Sequence, residues 1–499
     1  MSDYNRQHPV AAITRAVDLV RDNLITIIVL MVVGASGSGE GMFLWWFVGF
    51  FLFLLVAGTV GWWRFVYRMD EGELQIKQGV FVRKSLYLTR DRVQVIDVTA
   101  GIIQRMFGLV SVEIKTAGST SREASLSAVT ESEAERITTL LRNGEKRGGA
   151  DLSDDFQVSA GEGHGQEPTP SERTYRLPGK ELVIAASTSG SFGIALSIIA
   201  TVFSQVEPLI SESRIYEWLI AYLPSETDGF FILTILTVFV VFAWLMSFFG
   251  TLFKYGDFSL TLNQNEMIVR RGIFEKKSIT VPFNRIQALR IVEGVMRQPF
   301  GYASLHVESA GYGDQREGGS VVIYPLIKRE EIELFLEENL PDYPGELSAY
   351  KPAARSVTRY IVRSTLVLAL IIAGIYWVLD ASHWIWLCVL PGVIWGWLRH
   401  KDAAIGADPE RLIVRSRILA RTTAVIRKNR AQDVSLRASW IQQFRNFANL
   451  EVSVASGDQG RSFTIRELEV STAEELLPWI ARENGYDFIS NGPVGNLLS

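Results

Sequence analysis

The sequence predicts an α+β membrane protein in which one unit occurs three times: two membrane helices, then a small β-rich domain closed by a helix. Three observations predict it. First, a segment recurs: Arg92-Val-Gln-Val-Ile, Arg285-Ile-Gln-Ala-Leu and Arg430-Ala-Gln-Asp-Val. The register extends upstream, where Gly79-Val-Phe matches Gly272-Ile-Phe and Arg417-Ile-Leu. It extends downstream, where Ile103–Gly108 matches Met296–Gly301 and Ile441–Asn446. Second, each copy follows two long apolar runs. Third, 48% hydrophobic residues and 13 Trp suit a membrane protein with interfacial aromatics.

The expected spans are 17–36, 42–63, 182–206, 229–252, 361–379 and 383–399. Several have the length of about 20 residues that a hydrocarbon core of roughly 30 Å requires. Pro391 lies inside the last span, which is expected to kink or tilt. Trp62, Trp63, Trp384 and Trp397 mark span ends. A proline precedes the first helix of each pair, at Pro9, Pro178 and Pro352. The small-residue stretch Ser187–Gly193 reads as a close helix-packing face.

Lys and Arg fix the expected orientation. They cluster before the first helix of each pair (Arg6, Arg15; Arg173, Arg176, Lys180; Lys351, Arg355, Arg359) and after the second (Arg64, Arg68; Lys254; Arg399, Lys401). The loop 207–228 between the third and fourth spans carries five acidic residues against Arg214. The positive-inside rule then places both termini and all three β-domains in the cytoplasm. The buried parts of the spans lack Asp, Glu, Lys and His, which argues against an ion-coupled carrier.

Each β-domain opens with alternating apolar residues around a turn: Leu74 and Ile76, then Gly79, then Leu86 and Leu88. Each closes with an amphipathic helix, expected at 131–142, 328–340 and 472–484. Thr130-x-x-Glu133 and Ser471-x-x-Glu474 read as capping boxes.

This pattern of hairpin, Arg-x-Gln, Phe-Gly turn and Ala-Gly (Ala117-Gly118, Ala310-Gly311) resembles the bacterial pleckstrin-homology-like (PH-like) domain. The whole layout resembles the YdbT-type membrane proteins. The resemblance implies six transmembrane helices in three hairpins, with three split β-barrels each capped by a C-terminal helix. It also implies a bacterial cytoplasmic membrane and a role in envelope or antimicrobial-peptide stress. The domains are then transmembrane hairpins at 10–66, 176–253 and 350–400, PH-like domains at 67–142, 254–342 and 401–485, a disordered linker at 143–175 and a tail at 486–499. The linker follows from a composition rich in Gly, Ser, Asp and Glu. The third copy departs from the pattern: Arg417 stands at the turn glycine, and Arg445-Asn446 replaces Phe-Gly. Its turn geometry, and any site shared there, stay open.

Two sets of candidate residues emerge. The repeat signature Arg92, Gln94, Arg285, Gln287, Arg430 and Gln432 is expected on the inward rim of the barrel, by strand alternation with Ile96 and Leu289. That placement favours a structural role over ligand contact. The hairpin cations Lys77, Arg83, Lys84, Arg270, Arg271, Lys276, Lys277, Arg415 and Arg421, with Arg417 among them in the third copy, are candidates for anionic headgroups. Each basic residue near such a surface contributes roughly 1 kcal/mol; a solvated basic face that only follows the positive-inside bias is the alternative.

No catalytic residues, cofactor or metal site is expected. The single cysteine, Cys388, excludes an intrachain disulfide, the five His are scattered, and P-loop, zincin and nucleophile-elbow motifs are missing. A pI near 5.9 argues against nucleic acid as a partner. The expectation is a non-enzymatic inner-leaflet scaffold that binds anionic lipid or a membrane or cytoplasmic protein. The alternative is a lipid or peptide translocator using the six-helix bundle.

Overall fold

The computed structural model describes residues 4–22, 40–70, 73–79, 82–89, 93–116, 124–142, 173–190, 192–193, 195–198, 201, 229–309, 320–343, 350–379, 382–408, 410–456 and 460–481. The loop 207–228, residues 143–172 of the expected linker, the Ala-Gly pairs, Arg92 and the tail lie outside them. The chain divides into two compact units, Met1–Val281 and Pro282–Ser499.

In the first unit, α1 (Val10–Asp22) packs on α2 (Glu40–Trp63). A Cβ on Gly58 would lie 3.1 Å from the Ala12 carbonyl, so the pair meets along a seam of small residues. β1 (Asn5–Arg6), β2 (Val66–Asp70), β3 (Glu73–Gln78) and β4 (Lys84–Thr89) form an antiparallel sheet in that order. Leu74, Ile76 and Leu88 face inward from it by the two-residue period of a strand. They meet Val112, Ile114 and Leu126 of a second sheet, and Ile137 and Leu141 from α4 close the core. That second sheet begins with β5 (Val93–Ala100), then a short α3 (Ile102–Met106), β6 (Leu109–Thr116) and β7 (Ala124–Thr130), before α4 (Glu131–Arg142). Two sheets under one helix are the split barrel that the resemblance to PH-like domains implies.

The second copy starts within the same unit. β8 (Arg173–Arg176), which takes up residues 173–175, precedes α5 (Gly179–Ser187), with Pro178 at its N-cap. α5 packs on α6 (Gly229–Tyr255), where Trp244 Nε1 donates to the Ser187 carbonyl at 3.2 Å and Thr251 Oγ1 to Ser189 Oγ at 2.8 Å. Of the stretch Ser187–Gly193 expected as a close packing face, Ser187 and Ser189 make these contacts, whereas a Cβ on Gly190 or Gly193 would meet nothing within 4 Å. β9 (Ser259–Leu262), β10 (Glu266–Arg271) and β11 (Lys276–Pro282) follow. They join the sheet of the first copy, in the order β7-β6-β5-β11-β10-β9-β8. Lys276 pairs with Ala100 and Ile279 with Asp97.

The second unit repeats this exchange. β12 (Ile286–Glu293), β13 (Tyr302–Ser309) and β14 (Ser320–Lys328), followed by α7 (Arg329–Asn339), belong to the second copy. β15 (Ala404–Ala407), β16 (Arg411–Arg417) and β17 (Arg421–Arg427) belong to the third. They make one sheet, β14-β13-β12-β17-β16-β15. Thr422 pairs with Val292 and Ala424 with Arg290, positions equivalent to Lys277 with Thr99 and Ile279 with Asp97 at the first junction. The two junctions therefore share one register. β18 (Ala431–Arg437), β19 (Phe447–Val454) and β20 (Arg461–Glu469) complete the third barrel with α11 (Val470–Ala481), and short α10 (Trp440–Gln443) bridges β18 and β19.

The helix pair of the second unit is α8 (Val357–Leu379) and α9 (Leu390–Asp402). A 3-10 segment, His383–Val389, precedes α9, and Pro391 sits in its first turn, so proline marks the change of helix type rather than a mid-helix kink. A Cβ on Gly396 would lie 2.5 Å from the Ile361 Cα, which requires glycine for this approach. Among the described residues, Leu233–Tyr255 and Ala354–Val378 are long and apolar enough to cross a membrane, and Val48–Trp63 is a shorter apolar helix.

The repeated glutamine marks a backbone feature. Pairing slips by one residue between Val93 and Val95, Ile286 and Ala288, and Ala431 and Asp433. Gln94, Gln287 and Gln432 are thus the extra residue of a β-bulge in every copy. The expected unbroken alternation from Arg-x-Gln into the core is interrupted there, because a bulge flips the phase of the strand.

Candidate functional site

The hairpin turns and the connections that carry the Phe-Gly motif expose apolar side chains in each copy. At the hairpin turns these are Val82, then Ile273 and Phe274, then Ile418 and Leu419. At the second connection they are Met106 and Phe107, then Met296 and Phe300, then Trp440 and Phe444. Val82, Met106 and Ile418 are 77–81% exposed, so these side chains meet almost no protein. A cation flanks each second connection: Arg105, Arg297 and Arg445.

The turns sit on the ends of the apolar helices. In the second copy, the Gly272 and Ile273 amides donate to the carbonyls of Gly256 and Phe253 at 2.7 and 3.0 Å, and the Phe274 ring meets Phe253 edge-on at 4.6 Å. The Arg105 guanidinium donates to the Ile273 carbonyl at 2.7 Å, joining the connection of the first copy to the turn of the second. In the third copy, Trp395 Nε1 donates to the Ile418 carbonyl at 2.9 Å and Arg399 Nε to the Arg417 carbonyl at 3.1 Å. Arg359 of α8 ion-pairs with Glu467 at 3.0 Å, and Arg355 with Glu469 at 2.9 Å. In the second and third copies the apolar tips are thus bonded to residues of α6 and α9.

Backbone strain explains the turn glycines. Gly79 and Gly272 both have φ of +107°, and a Cβ there would lie 1.9 and 2.0 Å from the carbonyl oxygens of Val82 and Glu275. Gly108 and Gly301 are left-handed at φ +64° and +68°, and Asn446 adopts the same region at +55°. Asparagine tolerates that conformation, so the second turn survives the loss of Phe-Gly in the third copy.

The hairpin cations do not form one set. Lys77, Arg83, Lys84, Arg270 and Lys276 are exposed, and Lys277 is half-buried. Lys77 lies over the Tyr4 ring at 4.4 Å, and Lys276 is 3.5 Å from the exposed Asp257 carboxylate, a pair of little energy in water. Arg271 is buried with its guanidinium over the Tyr255 ring. In the third copy the cations turn inward. Arg421 binds both Glu293 oxygens, one at 2.6 Å, and approaches Asp402 at 3.6 Å. The Glu293 hydrogen bond holds its guanidinium pKa above the usual range, against the effect of burial. Buried Arg417 donates to Asp402 at 2.5 Å and to Gln298 at 2.6 Å. Arg415 beside them is lowered by burial and then by Arg421 and Arg329.

Two of the six signature residues, Gln287 and Arg430, bond to backbone carbonyls. Gln287 is buried and donates to the Arg285 carbonyl at 3.1 Å, while Arg430 donates to the Asn284 carbonyl at 2.8 Å. Gln432 is exposed, and the side chain of Gln94 lies outside the described ones. Among the described residues no group of three or more His, Cys, Asp and Glu could hold a metal.

The bacterial PH domain family matches residues 16–145, 219–340 and 353–484, which together cover most of the chain. The chain is similar to the UPF0699 transmembrane protein YdbT of Bacillus subtilis (strain 168), at 30% identity over 97% of this chain and 99% of that protein. The match runs through the apolar helices as well as the sheets. The chain is a YdbT-type membrane protein of the bacterial PH domain family, with three copies of that domain.

Proposed function

We propose that this chain is a non-enzymatic multipass scaffold whose three PH domains lie against the inner leaflet and engage anionic lipid. In this reading the six spans form three hairpins and both termini are cytoplasmic. One observation carries it: every copy presents exposed apolar tips, and in the second and third these bond to the end of a helix pair. Apolar side chains enter the interface while Arg83, Lys84, Arg270 and Lys276 attract acidic headgroups. An envelope-stress role is consistent with a scaffold of this kind. The test uses the whole chain in nanodiscs of phosphatidylcholine with one-fifth phosphatidylglycerol. Anionic lipid retained on release is counted by native mass spectrometry, for wild type and for Lys276→Glu with Lys277→Glu. Retention should fall in the variant and with added salt, because surface charge is screened within roughly 8–10 Å. Equal retention removes the lipid reading. Orientation is tested separately: a reporter active only outside the cytoplasm should work within 207–228 and be silent at Ser499.

A protein partner has its own observation. β5 and β12 each receive a strand of the following copy, whereas β18, their equivalent, is a sheet edge among the described residues. The equivalent donor, β4, is likewise an edge. Pairing of β18 with β4 of a second copy of this chain would cover both, in the register of the two existing junctions, with Lys84 opposite Arg437. In a Cys388→Ser background, chains carrying Lys84→Cys and chains carrying Arg437→Cys should cross-link when mixed. Failure to cross-link, with each chain folded, rejects the reading.

A further inference from the structure

Between β12 of the second copy and the third copy, within the second unit, lies a pocket of about 350 Å³ that the surface reading does not use. Its walls are β12, the β16–β17 turn, β20 and the adjoining ends of α8 and α9. Five arginines line it, Arg290, Arg399, Arg417, Arg461 and Arg466, and no carboxylate does. The nearby carboxylates have partners already. Asp402 holds Arg417 and Arg421. Glu308, fully buried, accepts from Arg290 at 2.8 Å and from Ser456 at 2.5 Å, and lies 3.8 Å from Arg461. Glu467 pairs with Arg359.

Positive charge therefore remains unmatched inside the pocket. Arg290 is 9% exposed, and its Nε is buried with no hydrogen-bond partner. Arg466 carries no ion pair among the described residues; its guanidinium is lowered by burial and then by the neighbouring Arg363 and Arg399, which outweigh the opposing pull of Glu467, a carboxylate already paired with Arg359. Burial lowers Arg290 as well, despite Glu308. Guanidinium stays protonated at any physiological pH, so the cluster cannot relieve this repulsion by losing a proton. Ser416, Thr422, Ser462 and Thr464 add hydroxyl donors to the lining. Forked N–H groups on several arginines, with hydroxyls beside them, supply enough donors for the three or more oxygens and the greater negative charge of a phosphate, where a carboxylate offers two oxygens and one charge. The volume lies within the range of small-molecule sites. Exposed Ile418 and Leu419 line the pocket too, and give it an apolar lip.

We propose that this pocket binds a phosphate group, held by Arg290, Arg399 and Arg466. The inference deepens the membrane-surface reading by naming a site and a ligand chemistry. The phosphate can belong to a phospholipid headgroup, with the apolar lip meeting its acyl side, or to a free phosphoanion.

The experiment titrates the purified full chain in detergent with dioctanoyl phosphatidic acid in one arm and inorganic phosphate in the other. Binding is followed by the tryptophan fluorescence of the whole chain and by the shift in Tm. Wild type should bind in at least one arm. Arg466→Gln should weaken that binding about tenfold or more, as loss of a charge-assisted pair does. Lys276→Glu with Lys277→Glu should leave it unchanged. Binding of the lipid with phosphate a poor competitor assigns the site to a headgroup; equal binding of both assigns it to a soluble phosphoanion. If Arg466→Gln fails to accumulate, Ser462→Glu at an exposed position of the lining supplies the same test by adding a negative charge. No binding in either arm, or binding that neither variant weakens, overturns the pocket. Because only the Lys276–Lys277 change addresses surface retention, the surface reading can fail while the pocket stands, and the reverse.

Discussion

The hairpin turn of the second copy and that of the third solve one problem in different ways. At Gly272 the backbone turns at φ +107°, where a side chain would collide with the Glu275 carbonyl. At Arg417 the chain runs from β16 to β17 through Ile418–Ala420, Arg417 pairs with Arg421 across the turn, and no left-handed residue is needed there. The position freed from glycine carries a buried guanidinium that ties Asp402 of α9 to Gln298. One turn is thus fixed by backbone geometry, the other by an ion network anchored on Asp402 of α9. In the third copy Arg417 and Arg421 are drawn into an ion network with Asp402 and Glu293, where the second copy leaves Arg270 and Lys276 exposed, and the arginine pocket lies beside that network.

Asp402→Ala should break the third turn most severely. It leaves Arg417 and Arg421 facing a buried gap, which costs about 3–5 kcal/mol when one member of a buried pair is removed. Thermal unfolding of the full chain in detergent checks this, and an unchanged Tm would contradict the ion-network account of that turn. Gly272→Ala comes next, at about 1–3 kcal/mol for forcing a side chain into a strained conformation. Ile418→Ala, in the equivalent turn of the third copy, should shift stability by less than about 0.5 kcal/mol, since the side chain is exposed and its backbone unstrained. Equal losses at Gly272 and Ile418 would erase the distinction between the two turns. The smallest stability effect belongs to Lys276→Glu with Lys277→Glu, within about 0.5 kcal/mol, although anionic-lipid retention falls.

Local signals in the sequence were strong. The closing helices begin within two residues of where the patterns place them, at Glu131, Arg329 and Val470, but the last start puts Ser471 inside the helix, so Ser471-x-x-Glu474 is not its capping box. The departure at Arg417 was visible as a broken repeat. Non-local pairing was not legible, because nothing in a strand's own alternation says which copy supplies its neighbour. β11 beside β5 and β17 beside β12 are the result. Residues 254–342 taken alone would therefore lose a strand partner on both β11 and β12, and binding tests need the whole chain. The bulge at each repeated glutamine was hidden for a related reason: a one-residue insertion is defined by the opposite strand. The reciprocal cap at Ser439 and Gln442 has the Ser-x-x-Gln spacing of a capping box, but the helix it opens is only four residues long and has no apolar period to mark it. The pocket was illegible because its arginines come from β12, α9, β16 and β20, far apart in the chain.

In the function proposed, the exposed apolar tips reach the membrane interface. The most direct measurement places a polarity-sensitive fluorophore at one tip position at a time, in a Cys388→Ser full-length chain reconstituted into anionic vesicles. Phe274→Cys and Leu419→Cys probe the turns of the second and third copies, and Glu333→Cys on α7, an exposed polar helix position, serves as the aqueous reference. The account predicts blue-shifted emission at both tip positions, quenched by lipid carrying a bromine or spin label near the headgroup, with emission at position 333 red-shifted and unquenched. Emission at positions 274 and 419 as red-shifted and unquenched as at 333 would contradict it.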